Sequence, residues 1–108
     1  MRRATLVLCA ATLAGAAHAQ TTPVFTQEMV DKGREQYHRT CAQCHGRNMV
    51  NAGTTVYDLR KFPIDQHERF VTSVLKGKGN MPSFQGALDE ATITTLWVYV
   101  ATRGGKEM

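Results

Sequence analysis

The stretch CAQCHG, residues 41–46, sets the constraint from which the rest of the chain can be interpreted. It spaces two thiols, Cys41 and Cys44, three residues apart and places the imidazole of His45 directly after the second. Three kinds of site use such a spacing: a thioredoxin-like redox pair, part of a zinc site, and the attachment point of a c-type haem. The residues around the motif favour one of them.

A thioredoxin-like pair is expected at the start of a helix that follows a strand in a βαβ unit. Residues 24–40, which precede the motif, are instead polar, charged and helical in pattern. A zinc ion needs four ligands, and beyond the motif and residue 18 the chain offers only His38 and His67 as imidazoles, neither in the usual paired spacing. The sequence therefore favours haem attachment, in which each thiol adds to a vinyl group and the next histidine ligates the iron.

The first nineteen residues have the pattern of a secretory signal. Two arginines precede an apolar stretch, and Ala-His-Ala at positions 17–19 forms an A-x-A cleavage site. The apolar run is shorter than the roughly 20 residues that a transmembrane helix needs. We therefore predict a signal peptide over residues 1–19, cleaved after Ala19, no permanent membrane anchor, and a single domain over residues 20–108 that is exported to the periplasm.

Loss of the signal peptide changes the composition of the domain. The third cysteine, Cys9, leaves with it, and the formal net charge falls from +4 to about +2. No run of Lys and Arg interleaved with aromatic residues is present, so the sequence does not predict nucleic acid as a partner.

An iron that carries electrons needs a second axial ligand, and a methionine thioether favours the ferrous state and raises the reduction potential. Met81 lies in KGKGNMPSFQG, residues 76–86, where no apolar periodicity gives a methionine a core to fill. Met29 precedes the motif, Met49 follows His45 too closely to reach the opposite face, and Met108 is terminal. We predict that His45 and Met81 ligate the iron. Because these two complete its ligands, we expect His38 and His67 to be surface residues.

Capping residues and apolar spacing predict one helix before the motif and one after it. The first runs over about residues 26–38, with Thr26 as its N-cap. The second begins after Pro63, with Asp65 as N-cap and Glu68 at N3, and ends at Gly77.

A third helix is predicted near the end of the chain. It starts near Asp89 and Glu90, whose charges suit a helix N-terminus, and stops before Gly104, with Arg103 in its last turn. The run TITTLWVYV, residues 92–100, could also be read as a strand, but the caps and the lack of a partner strand favour a helix. Gly33 in the first helix is expected to mark a close crossing with Leu96, Trp97 or Tyr99.

With these features placed, the sequence resembles the class I c-type cytochromes over essentially all of residues 20–108. The resemblance is carried by Gly33 and Tyr37, by CAQCHG, by GNMPSF at 79–84 and by LWVY at 96–99. It implies an all-α cytochrome c fold, with about three main helices and loops wrapped around one haem c that Cys41 and Cys44 hold covalently. It also implies that Gly33 and Tyr37 pack against the last helix.

The chain departs from that family after the haem motif. Many members carry a Gly-Pro pair whose carbonyl accepts the N–H of the proximal histidine, whereas residues 51–54 here are Asn-Ala-Gly-Thr. Which carbonyl orients His45 is therefore left open, although some acceptor is expected. Tyr57 and Arg60 are candidates to bond the haem propionates, the alternative being an exposed turn.

The resemblance implies a function for the chain. A six-coordinate iron has no position for substrate, so we expect a one-electron carrier in the periplasm and not an enzyme. The segment TTVYDLRKFP, residues 54–63, looks similar to small cytochromes that accept electrons from quinoprotein alcohol dehydrogenases. We expect a monomer with transient contacts to such a dehydrogenase as donor and to a terminal oxidase as acceptor. The alternatives are a haem subunit of a larger dehydrogenase and a ligand-binding or peroxidatic protein in which Met81 is displaced.

Overall fold

Four helices form the framework of the part of the chain that the structure describes. A computed structural model describes residues 9–15, 24–51 and 55–108. It contains α1 (Gln27–Thr40), α2 (Ala42–His45), α3 (His67–Lys76) and α4 (Glu90–Ala101), together with one-turn 3-10 helices at Arg47–Met49 and Leu59–Lys61. The described residues form isolated bridges but no strand, so the predicted all-α class is confirmed. The predicted cleavage site at residues 17–19 lies outside the described residues, and the signal peptide stays a prediction.

The predicted start of α1 is confirmed by its cap. The Thr26 hydroxyl accepts a hydrogen bond from the Met29 N–H at 3.2 Å, which satisfies one of the free donors of the first turn. The helix ends two residues later than predicted, at Thr40, and the N–H of Cys41 still donates to the Tyr37 carbonyl at 2.8 Å. The first thiol is therefore attached directly to the end of α1.

The bounds of α3 correct one prediction. Its N-cap is Gln66, which makes no side-chain cap bond, and not Asp65. The Gln66 N–H donates to the Pro63 carbonyl at 3.2 Å, so Asp65 lies inside the turn and the helix begins after it. The predicted end at Gly77 is confirmed, with φ at +74°.

The prediction of a helix rather than a strand over residues 92–100 is confirmed by α4. Its N-cap is Asp89, whose carboxylate accepts from the Thr92 N–H at 2.8 Å. Arg103 was placed wrongly in the last turn, because the helix ends at Ala101 and Arg103 adopts a left-handed φ of +52°. The Gly104 N–H donates to the Tyr99 carbonyl at 2.8 Å, which turns the chain back over the helix end.

The first and last helices cross at Gly33. A Cβ atom on this residue would lie 2.6 Å from the Thr95 carbonyl oxygen and 2.9 Å from the Tyr99 Cβ. The predicted crossing is confirmed for Tyr99, and the other contact is the main chain of Thr95 rather than Leu96 or Trp97. The rings of Tyr37 and Tyr99 lie 5.0 Å apart at the same crossing.

A continuous apolar core connects this crossing to α3. Phe62, Phe70 and Trp97 pack edge-on and tilted, with ring centroids 5.2–6.0 Å apart. Cys41 and Met81 are half-buried against the same core. Among the residues that the structure describes, no helix has both the length and the apolar character required to cross a membrane.

The Gly33 crossing yields a stability prediction. In an open helix, Gly33→Ala would stabilise by about 1 kcal/mol through helix propensity. Here the added methyl group must displace the α4 backbone, so we expect a net loss of about 1–3 kcal/mol in the free energy of unfolding. Chemical denaturation of the haem-loaded protein measures it, with the exposed α1 residue Glu35→Ala as control. A Gly33→Ala protein as stable as wild type would contradict a close crossing.

Candidate functional site

The two thiols and the imidazole lie on one tight turn of chain. Helix α2 starts immediately after Cys41, and the N–H groups of Cys44 and His45 both donate to the Cys41 carbonyl, at 3.2 and 2.9 Å. Cys41 is half-buried, whereas Cys44 is exposed. Because a single helical turn fixes the backbone from Cys41 to His45, the three side chains form one unit.

The environment of Cys41 argues against a redox pair. Burial raises the pKa of the Cys41 thiol to about 11, and the neighbouring Cys44 adds to that rise. Reactive Cys-x-x-Cys pairs have lowered thiol pKa values, because the thiolate is the nucleophile. The part of the chain that the structure describes also has no strand before the motif, so the βαβ context is absent there.

A zinc site finds no support in the described residues either. Among them, no three His, Cys, Asp or Glu side chains converge closely enough to hold a metal ion. His67 is exposed, with its ring 5.0 Å from that of Trp97, in agreement with its prediction as a surface residue.

A main-chain carbonyl orients the imidazole of His45. Its Nδ1 lies 3.1 Å from the carbonyl oxygen of Tyr57. A carbonyl can only accept, so Nδ1 carries the proton and Nε2 keeps its lone pair for a metal. The acceptor that the sequence left open is therefore Tyr57, six residues beyond Asn51, and not a proline carbonyl.

Tyr37 holds the end of the motif through a hydrogen bond. Its hydroxyl donates to the Gly46 carbonyl at 2.6 Å, and the residue is fully buried. Gly46 has φ of +87°, and a Cβ atom there would overlap the Val50 carbonyl. Only glycine can adopt this close return of the chain, which keeps His45 at the start of a tight bend.

His38 has a structural role that the sequence prediction missed. It was predicted to be a surface residue, but it is half-buried and both ring nitrogens have partners. The Asn48 N–H donates to Nε2 at 3.2 Å, so the proton lies on Nδ1, which donates to the Arg34 carbonyl at 2.8 Å. His38 thus ties α1 to Asn48 and Met49, whose φ values of +55° and +64° are left-handed. No spacing in the sequence indicates a bond to a strained loop ten residues away.

The loop that carries Met81 is a closed and anchored turn. Lys78 and Met81 exchange both main-chain hydrogen bonds, at 3.1 and 3.0 Å. The Phe84 N–H donates to the Val74 carbonyl at 2.9 Å, and the Ser83 hydroxyl donates to the Leu75 carbonyl, which joins the loop to the end of α3. The methionine is therefore presented by a restrained backbone.

Gly77 allows this loop to approach α3. Its φ is +74°, and a Cβ atom would lie 2.5 Å from the Met81 carbonyl oxygen and 2.9 Å from the Pro82 carbonyl carbon. The other methionines of the domain differ from Met81: Met49 is a buried core residue, and Met29 and Met108 are exposed. Met81 alone of these four combines partial burial with a loop position.

Tyr57 and Arg60, the predicted propionate partners, both have protein partners in the structure. Arg60 donates through Nε and Nη2 to the two carboxylate oxygens of Asp58, each at 2.8 Å, and this pairing lowers the Asp58 pKa to about 2. The Tyr57 hydroxyl donates to the Lys61 carbonyl at 3.3 Å. Both residues are exposed, and Nη1 of Arg60 makes no hydrogen bond within the described part of the chain.

The donor set fits a covalently attached haem. Two free thiols stand one turn apart, the adjacent imidazole keeps Nε2 free, and a thioether is half-buried in an anchored loop. The side-chain nitrogen of Asn51 is buried and finds no hydrogen-bond partner among the described residues. A buried amide is rarely left unsatisfied, and an anionic edge of a prosthetic group would supply its acceptor.

Comparisons with known proteins agree with this donor set. A family model described as "Cytochrome C oxidase, cbb3-type, subunit III" matches residues 28–100. Cytochrome c6 of Microcystis aeruginosa is 40% identical over 78 residues, which cover 68% of this chain and 96% of that protein. Cytochrome c6 of a Synechococcus strain is 32% identical over 105 residues, which cover 94% of this chain and 93% of that protein.

A further relative is much longer than this chain. The quinohemoprotein alcohol dehydrogenase ADH-IIG of Pseudomonas putida is 30% identical over 76 residues, which cover 68% of this chain and 10% of that protein. No solved structure matches the chain at a significant level.

The buried Tyr37 hydroxyl gives a pH-dependent prediction. Tyr37→Phe removes its bond to Gly46, and we expect a loss of about 1 kcal/mol in the free energy of unfolding at neutral pH. Burial raises the Tyr37 pKa above its ordinary value, so the wild type is fully stabilised below about pH 10 and loses that contribution as pH rises further. The stability difference should therefore shrink above about pH 10, as denaturation curves would show.

Glu35→Ala, at an exposed residue of the same helix, is the control for this experiment. A difference between wild type and Tyr37→Phe that stays constant through the alkaline range would contradict a buried, protonated hydroxyl at this position.

Proposed function

The chain belongs to the class I c-type cytochromes, and from that premise we propose that it carries single electrons between two partner proteins in the periplasm. Family membership brings one covalently attached haem c with its iron, and makes the chain a small monohaem electron carrier and not an enzyme. When bound, the haem supplies an iron atom that alternates between the ferrous and ferric states.

We assign four residues of this chain to the haem. Cys41 and Cys44 are the thiols that form the thioether bonds, and His45 and Met81 are the two axial ligands. The bond from His45 Nδ1 to the Tyr57 carbonyl carries the assignment, because it leaves Nε2 as the only lone pair that the ring can offer. The half-buried thioether of Met81 supports the second ligand.

The restraint on the Met81 loop supports electron transfer over ligand binding. The loop is closed by its own hydrogen bonds and anchored to α3, so moving the backbone that carries Met81 away would break several main-chain bonds. An iron that keeps both axial ligands has no open coordination position and rearranges little when it changes oxidation state. Asn51 and Nη1 of Arg60 are proposed to donate to the propionates, with Tyr57 as a further candidate.

A quinoprotein alcohol dehydrogenase is the proposed donor, and a terminal oxidase the proposed acceptor. The likeness to a stretch of a quinohemoprotein alcohol dehydrogenase supports the first, and the family description that names a cbb3-type oxidase supports the second. Each contact is proposed to be transient, and the carrier monomeric. The predicted signal peptide, residues 1–19, supports export to the periplasm.

A second candidate has support from the same comparison. The quinohemoprotein alcohol dehydrogenase contains a segment similar to this chain within a single, much longer protein. A haem subunit bound permanently to a dehydrogenase would therefore use the same site. Co-purification of a dehydrogenase with the cytochrome at moderate salt would favour the bound subunit, and its absence the free carrier.

The axial role of Met81 can be tested by truncation. Met81→Ala should keep the haem attached but lower the reduction potential, because the soft thioether no longer favours the ferrous iron. The vacated position should bind added imidazole or cyanide, as absorption spectra would show. Met29→Ala, at an exposed methionine on α1, should change neither property. An unchanged potential in Met81→Ala would remove Met81 from this role.

The loop geometry gives a matched pair of glycine variants. Gly77→Ala combines a left-handed φ with a clash against the Met81 carbonyl, whereas Gly79→Ala has φ of +58° and open space around it. Both lose about 1–2 kcal/mol to the left-handed conformation, but only Gly77→Ala should weaken the methionine–iron bond. The far-red absorption band of the ferric protein reports that bond. Equal intensities in the two variants would contradict a role for Gly77 in placing Met81.

The proposed partners can be tested by reduction kinetics. The ferric protein should be reduced by a quinoprotein alcohol dehydrogenase and its substrate, and reoxidised by a cbb3-type oxidase. Other periplasmic dehydrogenases serve as controls. Rapid reduction by one of these controls and none by the alcohol dehydrogenase would refute the proposed donor while leaving the carrier function intact.

A further inference from the structure

We propose that the side chains of Tyr57 and Arg69 are positioning residues for His45, acting through the Tyr57 main-chain carbonyl, and that they thereby adjust the reduction potential. The inference rests on the proposed function, since it requires His45 to be an iron ligand. It concerns what holds the acceptor of the Nδ1 proton in place.

The Tyr57 carbonyl stands at the start of a small closed turn. The Lys61 N–H donates to the Asp58 carbonyl at 3.0 Å, and the Phe62 N–H donates to the Leu59 carbonyl at 3.2 Å. The Tyr57 hydroxyl donates across the turn to the Lys61 carbonyl at 3.3 Å. The aromatic side chain thus spans the turn that its own residue begins, and restrains the orientation of the Tyr57 peptide.

Arg69, on α3, covers the outer side of this turn. Its guanidinium carbon lies 5.9 Å from the ring centroid of Tyr57 and 5.0 Å from that of Phe62. Both distances are within the range of cation–π attraction. The Gln66 side-chain oxygen accepts from Nη1 of Arg69 at 3.0 Å, which limits the motion of the guanidinium.

Phe62 secures the inner side of the same turn. It is buried, with ring centroids 5.8 Å from Phe70 and 6.0 Å from Trp97, while Tyr57 is about half exposed. The core holds this turn through Leu59 and Phe62. The exposed Tyr57 side chain at its start is held by the hydroxyl bond, by its ring contact with Phe62 at 6.1 Å and by Arg69. A proline would restrict this backbone covalently. Here, side-chain contacts must supply the restraint.

The direction of the effect follows from the chemistry of imidazole. A well-aligned bond from Nδ1–H to a carbonyl makes the imidazole a stronger donor to the metal, which stabilises the ferric state. Loosening the Tyr57 carbonyl should weaken that bond and raise the reduction potential. Loss of a nearby positive charge acts in the opposite direction, since a cation disfavours the more positive ferric state. A loosened Tyr57 carbonyl and a lost positive charge can therefore be distinguished, because the first raises the reduction potential and the second lowers it.

Three variants of the haem-loaded protein test the proposal. Tyr57→Phe removes the hydroxyl bond and keeps the ring, and Arg69→Lys keeps the charge but loses the planar group that stacks. Both should raise the reduction potential. Lys76→Gln, at another exposed cation on α3, removes charge without touching the turn and should lower it. All three substitutions are at exposed positions, so the fold should be retained.

A second readout follows the hydrogen bond itself. In the reduced, diamagnetic protein, proton NMR can follow solvent exchange of the His45 Nδ1 proton. We expect exchange to be about fivefold faster in Tyr57→Phe and Arg69→Lys, because each variant weakens the His45 bond by about the net contribution of one hydrogen bond. Exchange should be unchanged in Lys76→Gln. Tyr57→Phe and Arg69→Lys both conserve charge, so a loss of overall stability alone would not raise their reduction potential.

The outcomes distinguish this proposal from the proposed function. Wild-type His45 ring protons without the large shift of a haem-bound imidazole would refute the ligand assignment. Normal His45 shifts, with an unchanged potential and unchanged exchange in both Tyr57→Phe and Arg69→Lys, would refute the positioning role alone. A lowered potential in Arg69→Lys would also refute it.

Discussion

An imidazole can offer Nε2 to a metal only if Nδ1 holds the proton, and this condition governs the arrangement of the chain around His45. The carbonyl of Tyr57 satisfies it at 3.1 Å. Because that acceptor lies twelve residues further along the chain, the segment between them must return to the motif. The bend at Gly46 begins this return, and the turn over residues 57–62 follows it.

The helix crossing and the motif form one mechanical unit. Gly33 lets α4 approach α1, and this brings the ring of Tyr99 against that of Tyr37, whose hydroxyl holds the Gly46 carbonyl. His38, one residue further along α1, secures the following loop through Asn48. The position of His45 thus depends on a contact with Tyr99 in the last helix, half the length of the chain away.

Local chemistry made much of this predictable. The caps Thr26 and Asp89 predicted the starts of two helices, and the spacing of CAQCHG predicted the site. The sequence could not predict Tyr57 as the acceptor or His38 as a link to Asn48, because both are bonds between loop backbones and side chains that no periodicity records. The start of α3 was misplaced by one residue, since a carboxylate before a helix can equally belong to a turn.

The crossing of α1 and α4 has a consequence for how the chain acquires its structure. Residues 33 and 99 come from opposite ends of the domain, so their contact has a high contact order and cannot form until nearly the whole polypeptide has been synthesised. The ring of Tyr99 cannot pack against Tyr37 before then. The contacts that hold the Gly46 end of the turn with both cysteines are therefore completed only when the last helix packs on α1.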